Sequence, residues 1–264
     1  MLHAILLTRE KTGDYNEKLT FFTREKGILS VYGFGTRSMR SSRGKALASY
    51  DFLSIEVEKS KKGFALKNAR IENKLAFLSD LDLYNFFLKL LRVVYGMLPF
   101  ELKEENIFTM LSSIASFLQS GERTFEALLL IFNSSMLREL GWYPYFSSCG
   151  HCGLKDAENF TYNVLTNEYT CIHCIPRSVS PGNEAAQKNA EHIHLAREDI
   201  PMINVLYEKY ASADFDIIQK AYNEIKSNIC AGENKRKKTS IDRIVMLFSK
   251  IIDEKCNFKG KSHR

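Results

Sequence analysis

The first 75 residues alternate short apolar stretches with polar turns, a pattern that is typical of β-strands. In residues 53–58, Leu53, Ile55 and Val57 alternate with polar neighbours, which is the period of a strand with one buried face. Strands are predicted at residues 2–8, 19–24, 28–34, 53–58 and 64–71. Five short strands predict a small closed β-barrel. An SH3-like barrel fits the same pattern, and periodicity alone does not separate the two.

From Ser79 onward, apolar residues recur at intervals of three and four, which predicts amphipathic helices. The first helix is expected to end before Pro99 and to bury one face: Leu81, Tyr84, Leu88, Leu91 and Tyr95. Further helices are predicted at residues 104–119, 125–140, 201–212, 214–231 and 240–256. Asp214 and Ser240 are the predicted N-caps of the last two, and residues 232–239 are a predicted helix-breaking basic linker. The expected architecture is an α+β multidomain protein, with a barrel at residues 1–75 and an all-α helical domain at residues 76–264.

Four cysteines occur in the helical part as two Cys-x-x-Cys motifs. Cys149-Gly-His-Cys152 is separated by eighteen residues from Cys171-Ile-His-Cys174. Each motif places two sulfur atoms on one side of a tight turn, and two such turns complete a tetrahedral site of four sulfur ligands that suits zinc. Residues 160–165 and 167–171 read as two short strands of a ribbon. We therefore predict a zinc ribbon at residues 145–177, inserted in the helical domain, with one structural Zn²⁺ held by Cys149, Cys152, Cys171 and Cys174.

Other interpretations of these cysteines fit less well. Four unrelated buried cysteines would seldom show this spacing, and a redox Cys-x-x-Cys usually occurs once, at the start of a helix. A catalytic zinc keeps an open coordination position and usually recruits His or a carboxylate. His151 and His173 lie inside the turns and are expected to point away from the metal. Cys230 and Cys256 are interpreted as ordinary helix residues.

Charge is segregated along the chain, although the formal net charge is only +6. Residues 1–75 contain 15 Lys and Arg against 8 Asp and Glu, and residues 235–264 contain 10 against 3. Residues 76–234 contain 12 Lys and Arg against 20 Asp and Glu. Basic ends beside an acidic middle indicate that the ends bind a polyanion.

A Ser- and Gly-rich loop between the third and fourth predicted strands concentrates positive charge, and no acidic residue occurs between Lys26 and Tyr50. The loop is either a solvated, mobile segment or an arm that follows a phosphate backbone and releases its counterions. On the second interpretation, the residues predicted to bind DNA are Arg37, Arg40, Arg43, Lys45, Lys61, Lys62 and Arg70. Most of the nearby aromatic residues are expected to fill the barrel core, and stacking on bases is their alternative role. These residues are Phe21, Phe22, Tyr32, Phe34, Tyr50 and Phe52.

The sequence gives no support to several other classes of protein. It has no P-loop, dinucleotide-binding fingerprint, nucleophile elbow or HExxH motif, which favours a binding protein over an enzyme. It has neither an apolar run of about 18 residues that would span a membrane nor a basic leader before its first apolar run. We expect a cytoplasmic, nucleoid-associated protein without membrane contacts, in which reduced thiols favour a metal over disulfides.

Several motifs, in this order along the chain, carry a resemblance to a known family. Leu6-Leu-Thr-Arg9, Leu19-Thr-Phe-Phe-Thr-Arg-Glu-Lys-Gly27 and Gly33-Phe-Gly35 with its spaced arginines look like that family's first hairpin and basic loop. Residues 125–140, Gly141-Trp-Tyr-Pro144 and the first cysteine motif are similar to its central helix and zinc entry. Lys259-Gly-Lys-Ser262 resembles its basic C-terminal signature. The family is RecO, the bacterial recombination mediators and DNA-repair proteins.

This resemblance implies an OB-fold for residues 1–75, with the helical domain and its four-cysteine zinc ribbon behind it. It implies binding to single- and double-stranded DNA, annealing of complementary strands, and help in loading RecA onto DNA covered by single-strand-binding protein. RecR and the acidic tail of single-strand-binding protein are the implied partners, but no motif in this sequence assigns residues to either. Some members lack the cysteines, which implies that the metal is structural.

Two alternatives stay open. The first is a zinc-stabilised protein-interaction adaptor that does not bind DNA directly and would show no salt-sensitive DNA binding. The second is a zinc-dependent hydrolase, which needs an open zinc position and a nearby carboxylate base. The acids of the ribbon are Asp156, Glu158 and Glu168, and none of them lies in a deaminase-type motif.

Overall fold

The computed structural model describes residues 1–60, 63–174, 192–209, 215–230 and 235–262. The strands are β1 (Leu2–Lys11), β2 (Glu17–Thr23), β3 (Gly27–Gly33), β4 (Phe52–Ser60), β5 (Gly63–Asn73), β6 (Asn159–Asn163), β7 (Glu168–Cys171) and β8 (His192–Ala196). The helices are α1 (Ser42–Ala46), α2 (Leu81–Met97), α3 (Glu105–Gln119), α4 (Phe125–Glu139), α5 (Asp199–Lys209), α6 (Phe215–Cys230) and α7 (Lys235–Ser262). None of the helices in the described ranges has the length and hydrophobicity needed to cross a membrane.

The first five strands close into a barrel in the order β1-β2-β3-β5-β4, with β4 pairing back onto β1. Neighbouring strands are antiparallel except β3 and β5, which run parallel and pair at Val31–Phe64 and Tyr32–Ala65. A five-stranded barrel with this order and with a helix between β3 and β4 is an OB-fold. The fold implied by the resemblance is therefore confirmed.

Alternate residues of the strands fill the barrel, as the period of two predicts. The inward-facing residues are Ala4, Leu6, Leu19, Phe21, Leu29, Val31, Leu53, Ile55, Leu66 and Ala69. Ala46 and Leu47, at the end of α1, join the same core, so α1 closes one end of the barrel. This helix was not predicted, because its stretch reads as a Ser- and Gly-rich loop. It begins at a Ser41 cap, whose Oγ accepts a hydrogen bond from the Gly44 amide at 3.0 Å.

A partly buried salt bridge lies beneath α1. The strand register shifts between Leu6 and Thr8, so Arg9 is paired with the inward-facing Leu19. The Arg9 guanidinium donates from Nε and Nη2 to the two carboxylate oxygens of Glu17, both at 2.9 Å. Its Nη1 donates to the Leu47 carbonyl at 2.9 Å. Since the Glu17 side chain is only 3% exposed, Arg9 both neutralises a buried carboxylate and ties α1 to the strands.

Helix α2 buries a different face from the predicted one. Its buried residues are Leu83, Phe86, Phe87, Leu90, Leu91, Val94 and Met97. Of the predicted face only Leu91 is buried, whereas Leu81 is 70% exposed and Tyr95 is 39% exposed. Apolar residues at intervals of three and four occur on both faces of the helix. Burial of the face that contains Phe86 and Phe87 removes more apolar surface from water, so this face packs inward. The cap is Asp80, which accepts from the amides of Asp82 and Leu83 and leaves Leu81 in the exposed first turn.

Helices α2 and α3 belong to the same compact unit as the barrel, Met1–Arg123, and the remainder of the chain forms a second unit, Thr124–Arg264. The Phe108 ring of α3 packs on Phe22 and Phe52 at centroid distances of 5.5 and 5.7 Å. The segment between α2 and α3 lies along β3, where the Glu101 amide donates to the Ile28 carbonyl at 2.9 Å. The division at residues 75 and 76 stays a prediction about which part folds independently.

The second unit is built around α4, in which every residue from 127 to 137 is buried, as its apolar composition predicts. It packs against α5, α6 and α7. A three-stranded sheet in the order β7-β6-β8 carries the cysteines. The ribbon strands β6 and β7 were predicted, whereas β8 was not.

The prediction of a helix-breaking linker is wrong for residues 235–239, because α7 begins at Lys235. Lysine and arginine are good helix formers, so a run of them continues a helix once packing supports it. Ser240 is consequently not an N-cap; it is buried inside the helix and accepts a hydrogen bond from Arg243 at 3.2 Å. Asp214 and residues 231–234 lie outside the described residues.

Candidate nucleic-acid interface and metal centre

Two connecting segments meet at the barrel end that α1 closes. The Arg37 amide donates to the Tyr15 carbonyl at 3.1 Å, and the Arg37 Nη1 donates to the Gly13 carbonyl at 2.8 Å. The Gly35 amide donates to Asn16 Oδ1 at 2.9 Å. These bonds hold the β1–β2 turn against the stretch that follows β3. We refer to residues 12–16 and 34–46 together as the basic end of the barrel.

The basic end contains four of the seven cations predicted to bind DNA. Arg40 and Lys45 are exposed, and no ion pair within the described residues involves either side chain. Arg37 and Arg43 are half-buried. Arg43 donates to the carbonyls of Leu66 and Phe34, at 2.7 and 2.9 Å. Arg37 and Arg43 therefore support the local backbone as well as carrying charge, whereas Arg40 and Lys45 present their charge to solvent.

The other three predicted cations lie elsewhere. Arg70 is exposed on β5, where it is paired in register with Ser54 of β4. Lys61 and Lys62 lie outside the described residues. DNA contact by any of the seven stays a prediction.

The aromatic residues near the basic end divide into buried and exposed groups. Phe21, Phe22 and Phe52 are buried, as expected for most of this set. Phe34 is 54% exposed, and its ring stacks on Tyr32 with a centroid distance of 6.3 Å and an interplanar angle of 19°. Tyr50 is partly buried, and its ring packs at 6.2 Å from Tyr84.

Two exposed apolar side chains of the basic end were missed from the sequence. Tyr15 is 64% exposed and Met39 is 95% exposed. The signal was present for Met39, which lies in a polar stretch with no large apolar residue two, three or four positions away, and Tyr15 lies in a polar turn between two predicted strands. Such a residue has no strand or helix face to join, so it remains on the surface.

The four cysteines of the second unit come together as predicted. Their sulfur atoms all lie within 4.8 Å of one another, and Cys152 Sγ and Cys171 Sγ are 3.6 Å apart. A tetrahedral zinc with Zn–S bonds of about 2.3 Å requires sulfur separations of about 3.8 Å. The donor set and its spacing therefore fit one tetrahedral metal ion bound by thiolates.

Backbone geometry preforms the two turns that carry the sulfur atoms. The Gly153 amide donates to the Cys149 carbonyl at 2.9 Å, and Gly153 has a φ of 74°, which glycine adopts without strain. In the second turn the Cys174 amide donates to the Cys171 carbonyl at 2.9 Å. The Gly150 amide donates to the Tyr169 carbonyl at 2.8 Å, which fastens the first turn to β7.

An aromatic cluster supports the sheet behind these turns. Phe146 packs on Phe160 and Tyr169 at centroid distances of 4.6 and 5.0 Å. The Asn204 side chain of α5 donates to the Phe146 carbonyl and accepts from its amide, both at 3.1 Å. The two hydrogen bonds of Asn204 therefore attach the ribbon to α5 of its own unit.

The thiols differ in acidity. Burial alone would raise the pKa of Cys149, but the amides of Cys171, Cys152 and His151 donate toward its sulfur and lower the pKa to about 6. The neighbouring Cys152 sulfur is the main cause that raises the pKa of Cys174 to about 12. A divalent cation binds thiolates, so it must displace the remaining protons from the cluster, and its affinity falls in acid.

The residues around the cluster favour a structural site over a catalytic one. His151 and His173 are exposed, and the sulfur cluster does not include them. Asp156, Glu158 and Glu168 are exposed as well, and Asp156 lies 3.6 Å from Arg197. Four sulfur ligands fill a tetrahedral shell, which leaves no position for a reactive water.

The chain is similar to known proteins over much of its length. The family described as "Recombination protein O C terminal" matches residues 78–209, half of the chain. A DNA repair protein RecO from Caldicellulosiruptor bescii is 23% identical over 172 residues, 65% of this chain and 70% of that protein. The protein of the same name from Bacillus pumilus is 22% identical over 175 residues, which are 66% of this chain and 68% of that protein. The one from Chlorobium limicola is 25% identical over 154 residues, which are 57% of this chain and 59% of that protein. The chain belongs to the RecO family of DNA repair and recombination proteins, which is not a family of enzymes.

Proposed function

We propose that the protein is a recombination mediator that binds single- and double-stranded DNA at the basic end of its barrel. It anneals complementary strands and helps to load RecA onto DNA covered by single-strand-binding protein. RecR and single-strand-binding protein are its proposed partners, and it acts in the cytoplasm at the nucleoid. Family membership supports the repair role, and the geometry of the basic end supports the DNA contact.

The observation that carries the proposal is the exposure of Arg40 and Lys45 at the end of an OB-fold barrel whose same connecting segments carry the exposed Tyr15 and Phe34. Cations that are not paired with protein carboxylates are available to neutralise phosphates and release counterions. No side-chain arrangement in the basic end resembles a bidentate base reader, so binding is largely independent of sequence. Annealing follows when two strands are held close together with their mutual repulsion screened.

We also propose that Cys149, Cys152, Cys171 and Cys174 hold one structural Zn²⁺ ion. When bound, zinc links the two turns and stabilises the ribbon. The sulfur spacing and the absence of a fifth ligand among the described residues support this role.

The DNA proposal is tested by fluorescence anisotropy of a labelled single-stranded oligonucleotide at a series of salt concentrations. The variant Arg40→Gln/Lys45→Gln removes two exposed charges and keeps Arg37 and Arg43, which support the backbone. Each phosphate contact on a single strand contributes about 0.7 to the log–log salt slope, so the slope should fall by about 1.4.

The matched control is Lys89→Gln/Arg92→Gln, which removes two exposed charges from α2 in the same unit. It should leave the slope unchanged. Equal slopes for both variants would move the DNA site away from the basic end. Absence of salt-sensitive binding in the wild type would remove the proposal and favour a protein-interaction adaptor.

A further inference from the structure

We infer that the basic end binds unpaired bases on an apolar platform made of Tyr15, Tyr32, Phe34 and Met39, and that it therefore prefers single strands to duplex. This inference rests on the proposed function and makes it more specific. A duplex hides the faces of its bases, whereas a single strand exposes them. The platform thus adds affinity for single strands that the surrounding cations alone do not provide.

The first support is the stacked pair formed by Tyr32 and Phe34. Their rings are close to parallel, at 19°, and Phe34 is 54% exposed. A flat ring with an open face accepts any base by stacking, and the loss of one such contact weakens binding by roughly 5- to 150-fold. Sequence-tolerant binding is also what a recombination mediator needs.

The second support is that the structure holds the Phe34 side chain outward. The Phe34 carbonyl accepts from Arg43 at 2.9 Å, and the next residue, Gly35, turns the chain with a φ of 67°. The Thr36 hydroxyl donates to the Gly33 carbonyl at 3.0 Å. Phe34 therefore cannot fold back into the barrel, whose interior is already filled. The Tyr32–Phe34 pair is therefore in place before DNA binds, which reduces the entropy lost on binding.

The third support is the charge around the platform. Arg37 and Arg40 flank Met39 on either side in sequence, and Lys18 is paired in register with Tyr32. Of the acids in this part of the chain, Glu17 is paired with Arg9, and Glu10 is opposite Lys18 on β1. A strand whose bases lie on the rings has phosphates within reach of the flanking cations. Met39, 95% exposed between Ser38 and Arg40, suits insertion between adjacent bases.

The test compares three labelled probes with the full chain: a 15-nucleotide dT strand, an abasic strand of equal length, and a duplex. The variant is Tyr15→Ala/Phe34→Ala/Met39→Ala, and the control is Ile71→Ala/Leu81→Ala, which trims two exposed apolar residues of the same unit. The variant should bind the dT strand at least 5-fold more weakly, with the abasic strand, the duplex and the salt slope unchanged. The control should match the wild type.

A second variant keeps the test decisive if the triple variant unfolds. Phe34→Trp preserves a flat ring and adds a second tryptophan to Trp142. The emission gained over the wild type should be quenched more by the dT strand than by the abasic strand. Equal quenching by the two strands, or equal weakening of all three probes in the triple variant, would overturn the inference. If the wild type binds the three probes equally, the stacking inference fails, but the proposed DNA binding stands. If it binds none of them, the proposed function fails as well.

Discussion

The basic end of the barrel and the cysteine cluster are two sites built in opposite ways. The basic end presents exposed side chains on short connecting segments, and each exposed cation can contact a phosphate independently of the others. The cluster brings four sulfur atoms within 4.8 Å on a sheet with an aromatic core, and it works only as a complete set. Substitutions of the exposed side chains of the first region should therefore change binding with little effect on stability, whereas substitutions in the second should change stability with little effect on binding.

Removal of the metal should cause the largest loss of stability among these tests. Cys171→Ser, or treatment with a chelator, should release the proposed zinc ion and unfold the ribbon. The expected loss of stability is several kcal/mol, since structural zinc contributes about 10 kcal/mol or more in small zinc domains. Metal analysis and thermal unfolding measure both effects.

Cys256→Ser is the matched control, because this half-buried cysteine of α7 is not part of the sulfur cluster. It should keep both the zinc and the melting temperature. The salt slope of DNA binding should survive in Cys171→Ser. Loss of DNA binding together with the metal would break the contrast between the two regions.

An intermediate effect is expected at the salt bridge beneath α1. Arg9→Met leaves the Glu17 carboxylate buried without a partner, and it should lower the free energy of unfolding by about 2–3 kcal/mol in denaturant titrations. The Arg9 side chain is partly exposed, which keeps the loss below that of a fully buried pair. Arg9→Met/Glu17→Met should recover most of the stability. A double variant as unstable as the single one would show that the bridge is not the cause.

The smallest effect concerns the charge of His3 on the barrel surface. A hydrogen bond from its Nδ1 to Glu25, at 2.7 Å, is the main cause that raises its pKa above 6.5, and Glu72 adds to it. Protonated His3 therefore stabilises the folded state fully below pH 6.5, and this contribution disappears as the pH rises through the raised pKa. The stability difference between the wild type and His3→Gln should be largest near pH 5.5 and vanish by pH 9. A difference that grows toward alkaline pH would contradict this assignment.

Features with a local signal were predictable from the sequence. The five barrel strands follow from the alternation in stretches such as residues 53–58, and the buried face of α3 follows from Ile107, Phe108 and Leu111 at helical spacing. The sulfur cluster followed from the two Cys-x-x-Cys motifs, because each motif fixes its own turn geometry.

Features that depend on distant contacts were not predictable. The parallel pairing of β3 with β5 distinguishes the OB-fold from other small barrels, and no local pattern records it. Strand β8 joins β6 from more than twenty residues away. Likewise, nothing in the sequence separates Arg43, which bonds two carbonyls, from Arg40, which faces solvent. In α2, two overlapping apolar faces compete, and only the packing against neighbouring elements selects one of them.

The segment between α2 and α3 has a consequence for how the barrel behaves among other molecules. Strand β5 pairs with β3 at Val31 and Tyr32 and leaves the first half of that edge to residues 100–102. Leu102 approaches so closely that a Cβ on Gly27 would lie 1.8 Å from its carbonyl oxygen. An uncovered β-edge is a template for strands of neighbouring chains. Residues 100–102 therefore protect this edge against aggregation, and a fragment cut at residue 75 would lose that protection.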